Sequence, residues 1–312
     1  MTEKIDSIER IGVAACHIAV TDDELVQAMD RAGRIAGHPE LTATRMAADA
    51  GEDLIFGHSC LIPGLGMCVK TGIQKPGNRA KGIDTVQAAV LLFENATGRP
   101  VALVDGKAVT TMRTAGALVA GIRALRPIPQ PRVAVIGFGS QGRQVAELSR
   151  TVLGAAEVRA YTPSGVAAED GIDTARTIAE AAAGADVVAC CTSSPRPVIS
   201  RSDLADDVVV GTMNSFSPAL VEIEPEIIGH ATTVLVDNAP ENFGPIVQWT
   251  DAGGRLPVLR YLGQVPPPRA GDAGARGIRA AFVGGTGYQD ALVAWSVVLG
   301  WSQVEEVTRQ YT

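Results

Sequence analysis

The order of apolar and polar positions divides the chain into two textures. From Thr21 to Ile35 it reads as an amphipathic helix. Thr21 is the expected N-cap, and Asp22, Asp23 and Glu24 suit the positive end of the helix dipole. Between Ala43 and Thr71 short apolar runs alternate with Gly and Pro, as in a meander of strands. Lys75 to Lys81 (Lys-Pro-Gly-Asn-Arg-Ala-Lys) reads as a loop. Strands are expected at Thr85–Phe93 and Pro100–Asp105 around the turn Glu94-Asn95-Ala96-Thr97-Gly98, forming a hairpin. An Ala-rich helix follows at Thr114–Leu125.

Three prolines between Arg126 and Pro131 mark a linker, because proline fixes φ and stops helices. Beyond it strands and helices alternate. Strand Arg132–Ile136 leads to helix Gln141–Leu153, and strand Val158–Tyr161 to helix Asp173–Ala183. Strands Asp186–Cys191, Val208–Thr212 and Thr233–Asp237 come next. This pitch implies a parallel sheet. Val265–Arg276 is Pro/Gly-rich and reads as a surface loop, and Gln289–Leu299 as a docking helix. The expected fold is α/β: a doubly wound Rossmann domain plus an α+β substrate and dimerisation domain. Residues 1–126 would form the substrate domain, with a C-terminal helix at about 289–312 packing back on it, and 127–288 the nucleotide domain. The length of 312 residues fits two domains, since single cores stop growing near about 250–300 residues.

Composition narrows the function. A net charge of −7 argues against nucleic acid and against an anionic membrane surface. No apolar run nears the ~20 residues that span a bilayer, and Met1–Arg10 lacks the apolar core of a signal peptide, so a cytoplasmic protein is expected. Cys16, Cys60, Cys68, Cys190 and Cys191 read as reduced thiols, the last two as core packing. The histidines show no ligand spacing, so no metal is expected.

The strongest chemical signal is Gly137-Phe138-Gly139-Ser140-Gln141-Gly142, a G-x-G-x-x-G that follows a buried-type strand and opens a helix. Gly137 allows the tight turn, Gly139 lets the backbone approach a pyrophosphate, and Gly142 lets helix and strand pack closely. The helix N-terminus then receives phosphate charge. The second strand ends Tyr161-Thr162-Pro163-Ser164, with no carboxylate for a ribose 2′-hydroxyl and no arginine immediately after it for a 2′-phosphate. The missing acid and the hydroxyls of Thr162 and Ser164 tip the expectation from NAD towards NADP.

Several segments, in order, resemble the ornithine cyclodeaminase/mu-crystallin family. These are Leu61-Ile-Pro-Gly-Leu-Gly-Met-Cys-Val-Lys70, Thr85-Val-Gln with Leu91-Leu-Phe-Glu and Thr97-Gly-Arg-Pro100, Val104-Asp-Gly106, Thr110-Thr-Met-Arg-Thr-Ala-Gly-Ala117, the glycine motif, and Ala185-Asp-Val with Cys191-Thr-Ser-Ser194. The resemblance implies a homodimer with NAD(P) chemistry on amino acids or cyclic imines. By it, Arg45 and Arg113 bind the substrate carboxylate, to which a planar guanidinium is a bidentate partner, and Lys70 stands beside the reacting carbon as the catalytic residue. It also implies a nucleotide site that adds Thr114, Thr192 and Ser193 to Gly137, Gly139, Ser140, Gln141, Gly142, Tyr161, Thr162 and Ser164. Lys75, Arg79 and Lys81 form a basic loop just after Lys70, and Lys75 and Arg79 are candidates for a second substrate carboxylate. The chain departs from the cyclodeaminases at Gly211-Thr-Met-Asn-Ser-Phe-Ser-Pro218, where their aspartate and P-G-K are missing; this segment looks closer to the branch that makes a 2,3-diaminopropionate precursor. The expected reaction is NAD(P)-dependent oxidoreduction at the C–N bond of an amino or imino acid, with the substrate Cα about 3–3.5 Å from nicotinamide C4. Two alternatives stand beside it: a cyclodeaminase-type lyase that recycles NAD in place, and a non-catalytic NADPH-binding protein of mu-crystallin type.

Overall fold

The computed structural model describes residues 8–125, 128–167, 169–194, 196–217, 219–265 and 276–311. In chain order the elements are β1 (Glu9–Ile11), α1 (Val13–Ala19), α2 (Asp22–Ala36), β2 (Ala43–Ala50), β3 (Asp53–Ile62), β4 (Gly66–Gln74), β5 (Val86–Glu94), β6 (Pro100–Asp105) and α3 (Gly106–Leu125). Then follow β7 (Arg132–Ile136), α4 (Ser140–Thr151), β8 (Glu157–Tyr161), β9 (Asp173–Thr174), α5 (Ile178–Ala182), β10 (Val187–Cys190), β11 (Val208–Thr212) and α6 (Glu226–His230). The chain ends with β12 (Ala231–Val236), α7 (Gly244–Asp251), β13 (Val258–Tyr261), β14 (Ile278–Phe282), α8 (Gly287–Leu299) and α9 (Trp301–Thr308). Two compact units result: unit 1 holds residues 1–113 and 286–312, and unit 2 holds 114–285. The division falls inside α3 and just ahead of α8, whereas the sequence placed it at the proline-rich segment and at residue 288.

Unit 1 is a six-stranded sheet, β1-β6-β5-β4-β3-β2, antiparallel from β2 to β6 with β1 added in parallel. Helix α8 packs on one face of β3, β4 and β5, and α2 packs on α8. Helix α2 starts where its capping chemistry starts it. The Thr21 side chain accepts from Glu24 N–H, and the Glu24 carboxylate accepts from Thr21 N–H at 2.9 Å. The two residues thereby satisfy each other's orphan groups.

Unit 2 is an all-parallel sheet ordered β13-β12-β14-β11-β10-β7-β8-β9. Strands β10 (Val-Val-Ala-Cys) and β11 (Val-Val-Val-Gly-Thr) are buried along their whole length, as strands covered on both faces must be. Gly211 on β11 makes room for α3, since a Cβ there would stand 2.6 Å from the Leu118 Cδ1. The chain leaves β7 towards β8 on one side and returns to β10 on the other, so the turn after β7 lies at the switch point of the sheet, where α/β folds bind ligands.

Four local expectations need correction. Helix α3 begins at Gly106, two turns before Thr114, because the Asp105 carboxylate caps it by accepting from Ala108 N–H at 2.8 Å. The helix expected over Asp173–Ala183 is only Ile178–Ala182. Asp173 and Thr174 extend the sheet beside β8, and Thr177 caps the helix by accepting from Glu180 N–H at 3.0 Å. Pro76–Lys81, expected as loop, is a short 3₁₀ helix. Strands β13 and β14 and helices α1, α6 and α7 were not anticipated, and the C-terminal helix expected over about 289–312 is two helices, α8 and α9, parted at Gly300, whose φ is +85°. Most of the Pro/Gly-rich segment expected as a surface loop, residues 266–275, lies outside the described residues.

Candidate active site

In unit 1 the register of three strands lines up one row of side chains. Arg45 on β2 faces His58 on β3, and His58 faces Lys70 on β4. Directly opposed residues share a face and their strands run about 5 Å apart, so the three form one line across the sheet. The face is the one covered by α8, which brings in Asp290. The Lys70 Nζ donates to Asp290 Oδ1 at 2.7 Å, and His58 Nδ1 meets Asp290 Oδ2 at 2.7 Å. Arg113 on α3 places its Nε 3.4 Å from Asp290 Oδ1. Lys70 is 1% exposed and Asp290 fully buried, so this is a dry charge cluster.

Burial lowers the Lys70 pKa to about 8 with help from Arg113, although the Asp290 charge opposes it. Burial alone would raise the Asp290 carboxyl, but Lys70, His58 and Arg113 outweigh it and hold the group below the usual carboxylate range. Burial lowers the His58 pKa; the Asp290 contact raises it by less, and Lys70 and Arg113 add to the lowering. At neutral pH the cluster therefore holds a carboxylate, an ammonium, a guanidinium and a neutral imidazole, with a net charge of +1. The Arg113 side chain is 8% exposed, and its Nε and Nη1 have no hydrogen-bond partner among the described residues. A buried, excess cation with unmatched donors is complementary to one carboxylate.

The other expected substrate residues are placed differently. Arg45 lies on the exposed edge strand β2, in line with the cluster. The Lys75 ammonium is engaged by the Asp53 carboxylate. The Arg79 side chain lies outside the described residues. Asp290 and His58 are the residues that sequence reasoning missed. His58 showed no ligand spacing and Asp290 sat inside an apolar helix. The one available signal was a carboxylate in the first turn of that helix.

In unit 2 the glycine motif has the geometry its spacing implies. Gly137 adopts φ +96°, and a Cβ there would stand 2.5 Å from the Cys191 carbonyl oxygen. Its N–H donates to Tyr161 O at 2.7 Å, which ties the motif to the end of β8. A Cβ on Gly142 would lie 2.0 Å from the Gly137 carbonyl oxygen, so α4 packs against the turn only without one. Gly139 differs: a Cβ there would meet nothing within 4 Å. It faces open space at the start of α4, which Ser140 opens. The Gln141 Oε1 is buried without a partner among the described residues, as is the Thr114 hydroxyl. This cradle fits a dinucleotide pyrophosphate, with Gly139, Ser140 and the first turn of α4 to hold it. Thr162 is half-buried, and Ser164 and Ser193 are exposed.

Thr192 is committed to a partner that the sequence did not reveal. Glu222, fully buried, accepts from Thr192 N–H at 2.6 Å and Thr192 Oγ1 at 2.7 Å. Its other oxygen accepts from Thr212 Oγ1 at 2.5 Å, Asn214 N–H at 3.1 Å and Met213 N–H at 3.3 Å. Burial raises the Glu222 pKa, and the hydroxyls of Thr212 and Thr192 oppose that. Asn214, near the position of the cyclodeaminase aspartate, donates through Nδ2 to Ser194 O at 2.9 Å. Glu222 and Asn214 thus join the loops that follow β10 and β11.

A glycine-cradled switch point in a parallel sheet, together with a separate unit that holds a buried charge cluster, defines a two-unit Rossmann-type α/β protein. Within that class the chain belongs to the ornithine cyclodeaminase/mu-crystallin family, whose sequence model matches residues 64–265. It is 32% identical over 173 residues to an alanine dehydrogenase of Archaeoglobus fulgidus, covering 52% of this chain and 53% of that one. It is 27% identical over 265 residues to an iminosuccinate reductase of Paracoccus denitrificans, covering 79% and 81%. The match to the first of these spans about half of its length. The fold is shared with a Δ1-pyrroline-2-carboxylate reductase of Thermococcus litoralis, solved with NADH and L-proline, at a TM-score of 0.81 and 18% identity over 96% of this chain and 98% of that one. No helix among the described residues is long and apolar enough to cross a membrane.

Proposed function

We propose that the protein is an NAD(P)-dependent oxidoreductase acting at the C–N bond of a small amino or imino acid. The observation that carries this is the buried Arg113 guanidinium with unmatched donors, beside a lysine whose pKa is brought to about 8. Arg113, joined by Arg45, binds the substrate carboxylate. Lys70 gives or takes the proton at the substrate nitrogen, and Asp290 fixes the ammonium at the end of the buried lysine chain. Gly137, Gly139, Ser140, Gln141 and Gly142 hold the cofactor, with Tyr161, Thr162, Ser164, Thr192, Ser193 and Thr114 around it. The cofactor, when bound, supplies or accepts a hydride at the substrate Cα. Relatives that reduce cyclic or open imino acids support this reading. NADP is preferred in it, because no carboxylate closes β8 and Arg143, stacked 4.7 Å from the Phe138 ring centroid and paired with Glu169, places a guanidinium next to the motif.

The working form in this reading is a homodimer. Met46, Ile55, Leu61 and Met67 lie on the sheet face opposite α8, each 38–53% exposed, and a second copy covers them. Leu61→Glu with Met67→Glu then yields a monomer in light scattering.

The functional test is a screen of cyclic imines, and of 2-oxo acids with amines, following NADH and NADPH absorbance. Arg113→Ala raises KM for the accepted substrate, with a loss on the order of 2–4 kcal/mol in kcat/KM, and Arg113→Lys restores it only in part because lysine cannot form the fork. Ornithine converted to proline with no net cofactor change would establish the lyase instead. Tight cofactor binding without turnover of any substrate would establish a binding protein.

A further inference from the structure

Lys70 and Arg113 meet the needs of imine reduction, a proton donor and a carboxylate anchor. His58 is left over, yet it is built as carefully as either. Its ring stands in the row between Arg45 and Lys70. Its Nδ1 is 2.7 Å from an Asp290 oxygen, and an ionised carboxylate only accepts, so Nδ1 carries the proton. Nε2 is then a lone pair, and no partner for it is found among the described residues. The imidazole is neutral at neutral pH because burial outweighs the carboxylate. A carboxylate that fixes the tautomer and leaves Nε2 as a base is the arrangement that activates a hydroxyl or water elsewhere in protein chemistry. Here one carboxylate serves two groups of opposite function, an acid (Lys70) and a base (His58).

We infer that His58 is the base that adds and removes water at the substrate carbon, so that the enzyme interconverts open-chain amino acids and 2-oxo acids with ammonia, beyond any reduction of preformed imines. This rests on the function proposed above, and concerns the half of the reaction in which no electrons move. In the direction of amine loss the substrate at this stage is an iminium acid. A water O–H bond breaks with its proton going to His58 Nε2, a C–O bond forms at the iminium carbon, and the C=N pair returns to nitrogen as a neutral amine. Lys70 protonates that amine. The C–N bond breaks with release of ammonia while the hydroxyl pair forms the carbonyl, and the hydroxyl proton returns to Lys70. His58 releases its proton to solvent. Water and iminium acid have become 2-oxo acid, ammonia and one proton, and both side chains are as they began. The preceding oxidation of the amino acid uses the nicotinamide cofactor as its oxidant.

The test compares two substrate sets in wild type and in His58→Gln, which keeps a donor for Asp290 but has no basic lone pair. One set is pyruvate, oxaloacetate and 2-oxoglutarate, each with ammonium; the other is the preformed imines Δ1-pyrroline-2-carboxylate and Δ1-piperideine-2-carboxylate. The inference expects wild type to turn over at least one 2-oxo acid with ammonium. It expects His58→Gln to lose about 100-fold or more there, the scale of a general base, and less than tenfold on any preformed imine that wild type accepts. Equal losses on both sets would make His58 a structural support and overturn the inference, as would no loss on either. Wild type that reduces preformed imines but no 2-oxo acid with ammonium overturns it while leaving the proposed function standing; wild type that reduces neither overturns both. A readout independent of turnover is ¹⁵N NMR of the imidazole at neutral pH. Protonated Nδ1 with bare Nε2 is expected, and the opposite tautomer would defeat the assignment.

Discussion

Lys70 and Asp290 stand 220 positions apart and meet at 2.7 Å in the dry interior of unit 1. Neither is tolerable there alone. Replacing Asp290 by Ala leaves a buried ammonium and a buried guanidinium without a counter-charge, at a cost of about 3–5 kcal/mol. Removing the ammonium as well, in Lys70→Met with Asp290→Ala, recovers part of the loss. Urea unfolding of Asp290→Ala, Lys70→Met and the double variant checks this. Strictly additive losses would mean that the two residues are not energetically coupled.

The Lys70 pKa of about 8 sets the pH dependence of turnover. Below that value Lys70 carries the proton that an imine nitrogen needs, and above it Lys70 is the base that amino acid oxidation needs. Reduction is therefore flat below about pH 8 and falls above it, while oxidation rises through the same point. Lys70→Met removes the inflection from both profiles. The sign for stability follows from the same depression. The unfolded chain binds the Lys70 proton more tightly than the folded one, so the Lys70 contribution to stability increases as pH climbs from about 8 towards 10.5, the ordinary lysine value. An inflection that persists in Lys70→Met would assign the titration to another group.

Gly139 and Gly142 of the nucleotide motif separate under substitution. Gly139→Val folds normally, because its Cβ enters open space, but the side chain then occupies the place where a pyrophosphate must approach. Its melting temperature stays within a few degrees of wild type while NAD(P)H affinity in calorimetry collapses. Gly142→Ala, whose Cβ would lie 2.0 Å from the Gly137 carbonyl oxygen, loses stability first. Unchanged NADH and NADPH affinity in Gly139→Val would remove the cofactor from this turn.

Glu222 receives hydrogen bonds from three backbone N–H groups and two hydroxyls. Glu222→Gln keeps the shape but turns an –NH₂ towards donors, and each lost bond to a charged acceptor is worth about 1.5–3 kcal/mol. The loops after β10 and β11 loosen, so cofactor affinity drops at least about tenfold, the equivalent of about 1.4 kcal/mol. Hydrogen exchange speeds up at Thr192, Met213 and Asn214 more than in β10 and β11 themselves. Uniform acceleration across the whole sheet would show that Glu222 serves global stability only.

What lay open in the sequence is what neighbouring residues decide among themselves. Thr21 and Glu24 start α2 from three positions apart, β7 runs from Arg132 to Ile136 as read, and the glycine motif announced its turn, because capping, strand runs and tight turns need only local chain. Lys70 and Arg113 stood out through residue patterns along the chain. Their setting did not. His58 reaches Lys70 through strand register, and Asp290 reaches both through the packing of a helix more than 200 residues further on. Glu222 likewise joins loops 30 and 8–10 positions away. A buried charge is stable only beside the partners the whole fold brings to it. The sequence therefore determined which groups were present and where each element began, and the tertiary structure decided which of them share a proton.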